Sequence, residues 1–133
     1  MTIEKYLTYQ PPKYFSPDGL DSPVFEYLLE LQTSNPLLGK KALSMLKDLN
    51  KLVYLNQHIK PFKQGKFRCS ELRVRYKKDI CRFFFIANEP HFIVFHGFTK
   101  KTEKTEAHDV AQGLKNLQSY LYSKNAIDLE FTM

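Results

Sequence analysis

The sequence predicts an α+β domain in which helices and strands are segregated along the chain. Three observations carry this reading: two helical apolar stripes between residues 22 and 56, three aromatic-rich strand patterns between residues 67 and 99, and a third helical stripe from about residue 105. Segregated runs of this kind build α+β architectures rather than a parallel sheet with alternating crossovers. With 133 residues, one domain covering 1–133 is expected, long enough to bury a core without cross-links.

Residues 1–20 read as a short strand near Ile3 to Tyr9 and then an irregular connection through Pro11, Pro12 and Pro17. Ser22 is the expected N-cap of the first helix, with Pro23 at its first position. Val24, Phe25, Leu28, Leu29 and Gln32 then recur at helical spacing until Asn35-Pro36 ends the run. The second helix is expected from Leu37 to Asn56, with Ala42, Leu43, Met45, Leu46, Leu49, Leu52 and Val53 forming its stripe. Two helices with one apolar stripe each must bury them against a common surface, which the following strands supply.

Phe67 to Tyr76 alternates as a strand, placing Glu71, Arg73 and Arg75 on one face and Leu72, Val74 and Tyr76 on the other. Lys77-Lys78-Asp79 is a turn, and Ile80 to Ala87 is an apolar run broken only by Arg82, as in a central strand covered on both faces. Asn88-Glu89-Pro90 turns the chain into a third strand, Phe92 to Thr99, whose parity groups His96 with Phe92, Val94 and Phe98. A C-terminal helix beginning at Thr105 or Glu106 sets Val110, Leu114, Leu117 and Leu121 on one face, despite Gly113. The tail, residues 123–133, alternates from Ile127 to Phe131 and reads as an extra edge strand. The expected order is β-α-α-β-β-β-α with that addition.

Composition narrows the function. Hydrophobic content of 43% is that of a globular chain, and no apolar run approaches the ~20 residues of a membrane span. No apolar segment follows Met1 to Lys5, so no signal peptide is visible and a cytoplasmic protein is expected. Cys69 and Cys81 fall in neighbouring strands; a disulfide can be drawn between them, while the missing secretion signal favours reduced thiols. No Cys/His spacing suits zinc and no Gly-rich phosphate loop occurs, so neither metal nor cofactor is expected.

Charge is informative. Between Lys60 and Lys104 there are twelve Lys/Arg and four Asp/Glu, a net +8, while the remainder is net −2. The basic excess is thus confined to the strands and the loop that follows them, a concentration that attracts polyanions, nucleic acid first among them. Arg82 stands out because a guanidinium inside an apolar strand must meet an anion or reach solvent. A salt bridge to Glu71 on the adjacent strand satisfies that need, and so does a phosphate; a carboxylate that orients the arginine allows both. Arg73, two residues from Glu71, admits the same two readings. His96 is either a satisfied core residue or a proton carrier, and His108 is a second histidine near the basic loop.

Glu71-Leu72-Arg73, the strand Ile80-Cys81-Arg82-Phe83-Phe84-Phe85, and His96-Gly97-Phe98-Thr99-Lys100-Lys101-Thr102 ahead of a helix together resemble the RelE/HigB toxin superfamily of bacteria. The likeness is to its phage-derived Gp49-like branch, over roughly residues 22 to 122. The resemblance implies a RelE-like fold and the toxin of a type II toxin–antitoxin pair. It would be a metal-independent, ribosome-dependent mRNA endonuclease, restrained by a helix-turn-helix antitoxin of the HigA kind. Arg82 matches the strand arginine of such active sites. Lys100 and Lys101 would join it on the phosphate, with His96 or His108 moving protons. Arg73, Arg75, Tyr76, Lys77, Lys78 and Lys104 would bind RNA, Tyr76 by stacking. The chain departs from some members in carrying Cys69 and Glu71 where they have strand lysines, and in lacking a terminal Asp-Tyr-His cluster. Gyrase inhibition in the manner of ParE toxins, and non-catalytic RNA or ribosome binding, are the alternative functions compatible with the same fold.

Overall fold

The computed structural model describes residues 9–52, 57–100 and 103–129. In chain order the elements are β1 (Lys13–Phe15), α1 (Pro23–Ser34), α2 (Pro36–Lys47), the single-turn α3 (Leu49–Leu52), β2 (Ile59–Gln64), β3 (Phe67–Tyr76), β4 (Asp79–Asn88), β5 (His91–Thr99), α4 (Glu103–Ser123) and β6 (Ala126–Ile127). The strands form one sheet in the order β2-β3-β4-β5-β1-β6. Among the described residues only the β1–β5 pairing is parallel. The α+β expectation holds; the described residues form six strands where four or five were expected.

The first helix starts as its sequence dictates. The Ser22 hydroxyl accepts from the Val24 N–H at 3.3 Å, and Pro23 occupies the first position, where its missing N–H costs nothing. Asn35 serves two helices. Its backbone N–H bonds Leu31 O to close α1, and its side chain accepts from the Leu38 N–H to open α2. The helix expected to run from Leu37 to Asn56 is instead interrupted at Asp48, which leaves helical geometry (φ −101°, ψ 16°) before α3 begins. Leu46 and Leu49 are both fully buried across that break, so the apolar stripe continues although the helix does not. Residues 53–56 lie outside the described residues.

Two layers cover the sheet. On one face α1 and α2 pack Val24, Leu28, Leu38 and Leu46 against Leu72, Val74, Phe83 and Phe85. On the other, α4 brings Val110 and Leu117 against Phe84, Phe95 and Phe98. Two glycines permit this closeness. A Cβ on Gly97 would lie 2.7 Å from the Phe83 ring and 2.9 Å from that of Tyr27, and one on Gly113 would lie 3.0 Å from Phe84.

Several strand details differ from the sequence expectation. Residues 3–8 of the expected first strand lie outside the described residues, and β1 falls at Lys13–Phe15, inside the Pro-rich connection. Strand β2 was not expected. It is an exposed edge containing Pro61, which an edge tolerates because one side of its backbone needs no partner. Of the tail strand expected from Ile127 to Phe131, residues 130 and 131 lie outside the described residues; strand β6 comprises Ala126–Ile127 and pairs antiparallel with β1 at the far edge. Helix α4 starts at Glu103, two or three residues before the expected position.

The parity of β5 also needs correction. The β4–β5 register shifts between Phe84, opposite His96, and Phe85, opposite Val94. Phe95 is therefore the extra residue of a bulge. Phe92 and Val94 face the α1/α2 layer, whereas His96 and Phe98 face α4. The expected grouping of all four residues on one face does not occur.

Candidate functional site

The α4-facing side of β3 and β4 gathers the strand cations. Arg73 lies opposite Arg82 in the β3–β4 register, and Glu71 opposite Phe84, so Glu71, Arg73 and Arg82 share a face. Lys60 on β2 is placed opposite Glu71 on that same face. Arg75 follows by alternation and is exposed. Lys60 was not among the residues singled out from sequence, because β2 itself was not legible.

At the centre is an ionic network of three cations and two carboxylates. Glu71 is 1% exposed and accepts from Arg73 Nε. Its Oε1 lies 3.4 Å from Arg82 Nε, an ion-pair distance, yet that buried Nε has no hydrogen-bond partner. Arg82 Nη1 donates to Glu106 Oε1 at 2.6 Å, and Lys100 Nζ stands 3.3 Å from Glu106 Oε2. The salt bridge expected between Arg82 and Glu71 is thus present, and Glu106 from the first turn of α4 adds a second carboxylate that sequence reading missed. Its signal was helix position alone: α4 begins at Glu103 and so brings residue 106 over the sheet.

His96 belongs to a separate network. Its Nε2 lies 2.9 Å from Asp109 Oδ1 and its Nδ1 lies 3.4 Å from Asn116 Nδ2, whose amide also donates to Phe95 O at 2.9 Å. These partners assign the proton to Nε2, with Nδ1 accepting. Burial pushes the His96 pKa below the usual histidine value, and Asp109 only partly opposes that shift. Both ring nitrogens are engaged within the protein, and burial favours the neutral ring. His108 is exposed on α4.

The remaining candidates divide by face. Tyr76 packs against the α1/α2 side of the core, opposite to Arg82, with the Lys77 ammonium 5.5 Å from its ring centroid. Lys77 and Lys78 are exposed at the tip of the β3–β4 hairpin, where Lys77 adopts φ 56°. Lys101, and the side chain of Lys104, lie outside the described residues. Burial pushes the Cys69 and Cys81 thiols up to about 12, so both are protonated at neutral pH. Cys81 pairs with Val74, five residues along β3 from Cys69, which puts the two cysteines roughly 16 Å apart and beyond disulfide reach.

A cleft of about 600 Å³ opens beside α1 but has the wrong charge for phosphate. Glu26, Glu30, Asp79 and Asp109 line it, over a floor of Tyr27, Leu31, Leu38 and Phe98. Arg73, Arg82 and Lys100 are not among the residues that line this cleft. Among the described residues, no cluster of three or more His, Cys, Asp or Glu is placed to hold a metal ion, and no helix is long and apolar enough to cross a membrane.

Comparison with known proteins returns no matching curated protein and no matching solved structure. The description "phage derived protein Gp49-like (DUF891)" matches residues 17–118, which include α1 to β5 and most of α4, with every residue of the Arg82 network. The chain therefore belongs to the Gp49-like family of phage-derived proteins, a toxin-like family.

Proposed function

We propose that the chain is the toxin of a toxin–antitoxin pair on the RelE/HigB pattern, an endoribonuclease that cuts mRNA on the ribosome and is restrained by a helix-turn-helix antitoxin. The observation that carries this reading is Arg82. It is a guanidinium only 6% exposed, with an unsatisfied Nε, in a face that also presents Arg73 and Lys100. Family membership supplies the toxin-like context.

RNA scission by the neighbouring 2′-hydroxyl requires alignment of that group, proton transfer and neutralisation of the pentacoordinate phosphate. Arg82 and Lys100 supply the last by electrostatics. With His96 engaged at both nitrogens, His108, exposed on α4, is the other of the two histidines expected from sequence to transfer protons. The same engagement of His96 favours a second reading, a non-catalytic binder of RNA or the ribosome.

Brief induction in a bacterial host, with sequencing of new RNA 5′ ends, separates the readings. Growth arrest with new ends inside translated messages is expected. Arrest without new ends would redirect attention to another target, with a supercoiling assay testing gyrase. No arrest would favour the binding module.

A further inference from the structure

Arg82 is covered as well as charged. At 6% exposure its guanidinium is nearly covered, and Glu106 occupies Nη1, where a phosphate oxygen would bind. Resting on the endoribonuclease reading, we infer that Glu106 is an internal stand-in for the substrate phosphate, a carboxylate that must leave Arg82 and Lys100 before the phosphate enters.

The two carboxylates of the network differ in what holds them. Glu71 is fixed by a central strand, is 1% exposed and serves both arginines; its departure would leave the buried Arg82 guanidinium, and the part-exposed Arg73 beside it, with one fewer anion. Glu106 stands on the first turn of α4, and a quarter of its side chain is already in solvent. Its two oxygens contact one cation each, Arg82 Nη1 at 2.6 Å and Lys100 Nζ at 3.3 Å, as two oxygens of a phosphodiester would. Release into water rehydrates Glu106 at once, and the phosphate restores the charge balance that it leaves behind.

Three cations against two carboxylates give the resting network a net charge of +1, and release of Glu106 raises that to +2. The site therefore becomes strongly anion-attracting only as it opens. An affinity reduced by the fraction of open molecules is the expected signature, since only the open form binds. Neutralising Glu106 removes the competition and leaves Arg73, Arg82 and Lys100 in place.

The test is titration of the full chain with inorganic phosphate, and separately with a 2′-O-methyl RNA oligonucleotide that cannot be cleaved. Wild type, Glu106→Gln and Glu106→Ala are compared, with thermal melts to verify folding. Both variants are expected to bind both probes about tenfold more tightly or better, because the competing anion is gone. Equal affinity in all three proteins would overturn the inference while leaving an anion site standing. Weaker binding by Glu106→Gln would overturn it by making Glu106 a positioning residue for Arg82. No binding of either probe by any of the three would overturn it together with the endoribonuclease reading.

Discussion

Arg82 Nε stands 3.4 Å from Glu71 Oε1 on the neighbouring strand, close enough to neutralise charge but without a hydrogen bond. The pair fixes the guanidinium at the floor of the cationic face and leaves one buried N–H unsatisfied. Such a group costs free energy in the resting protein, about 1–3 kcal/mol for a lost partner.

The first prediction concerns that pair. Arg82→Met should destabilise the fold by about 3–5 kcal/mol, because Glu71 and Glu106 lose their shared cation. Arg82→Met combined with Glu71→Gln should cost less than the sum of the single changes, since each removes the other's unpaired charge. Urea unfolding of the three variants measures this; strict additivity would show that the pair is not coupled.

Gly97 yields a second prediction. Gly97→Ala should destabilise by about 1–3 kcal/mol, because the new methyl would lie 2.7 Å from the Phe83 ring and 2.9 Å from that of Tyr27. Those two rings already meet edge to face at 5.7 Å between centroids, and the Tyr27 hydroxyl is tied to Thr99 at 2.6 Å, so neither yields easily. An unchanged melting temperature would contradict the packing described.

The third prediction is a pH dependence. His96 has a folded pKa below its unfolded value of about 6.5, burial being the main cause. The unfolded chain then takes up a proton that the folded chain resists. This contribution to stability is present above about pH 6.5 and is lost as pH falls through the lowered folded value. Asp109 opposes the shift and His108 adds to it. Denaturant midpoints measured from pH 7.5 to 5 should fall for wild type, and His96→Gln should flatten that decline.

RNA binding supplies the fourth. If Lys77 and Lys78 each contact a phosphate, replacing both by Gln should reduce the salt slope of single-stranded RNA affinity by about 0.7 per lost contact. Tyr76→Leu, which removes the stacking ring, should leave affinity unchanged, because Tyr76 packs on the face away from Arg82. Filter binding across a salt series reads both; a large loss in the Tyr76 variant would place RNA on the α1/α2 side.

Much of this was legible in the chain. Ser22-Pro23 and Asn35-Pro36 marked the limits of α1, and Phe67–Tyr76 was delimited to the residue because strong alternation is bounded by charged turns. What was missed has local causes. The break at Asp48 is hidden by an apolar stripe that runs through it from Leu46 to Leu49. Strand β2 lacks alternation because an exposed edge carries Lys60, Pro61 and Lys63. The bulge at Phe95 shifts the face of every following residue by one, and nothing in a run of aromatic residues announces it. At the site, the Arg82–Glu71 pair followed from strand neighbourhood, whereas Glu106 and the engagement of His96 depend on how α4 lies across the sheet, which no local pattern encodes.

The most direct measurement of the central claim is cleavage of a translated message by purified protein on ribosomes, comparing wild type with Arg82→Lys. Lysine keeps the charge opposite Glu71 but removes the guanidinium fork. The account predicts cleavage by wild type and a loss of about 10²-fold or more in a variant whose melt shows it to be folded. Full cleavage by folded Arg82→Lys, or none by wild type, would contradict it.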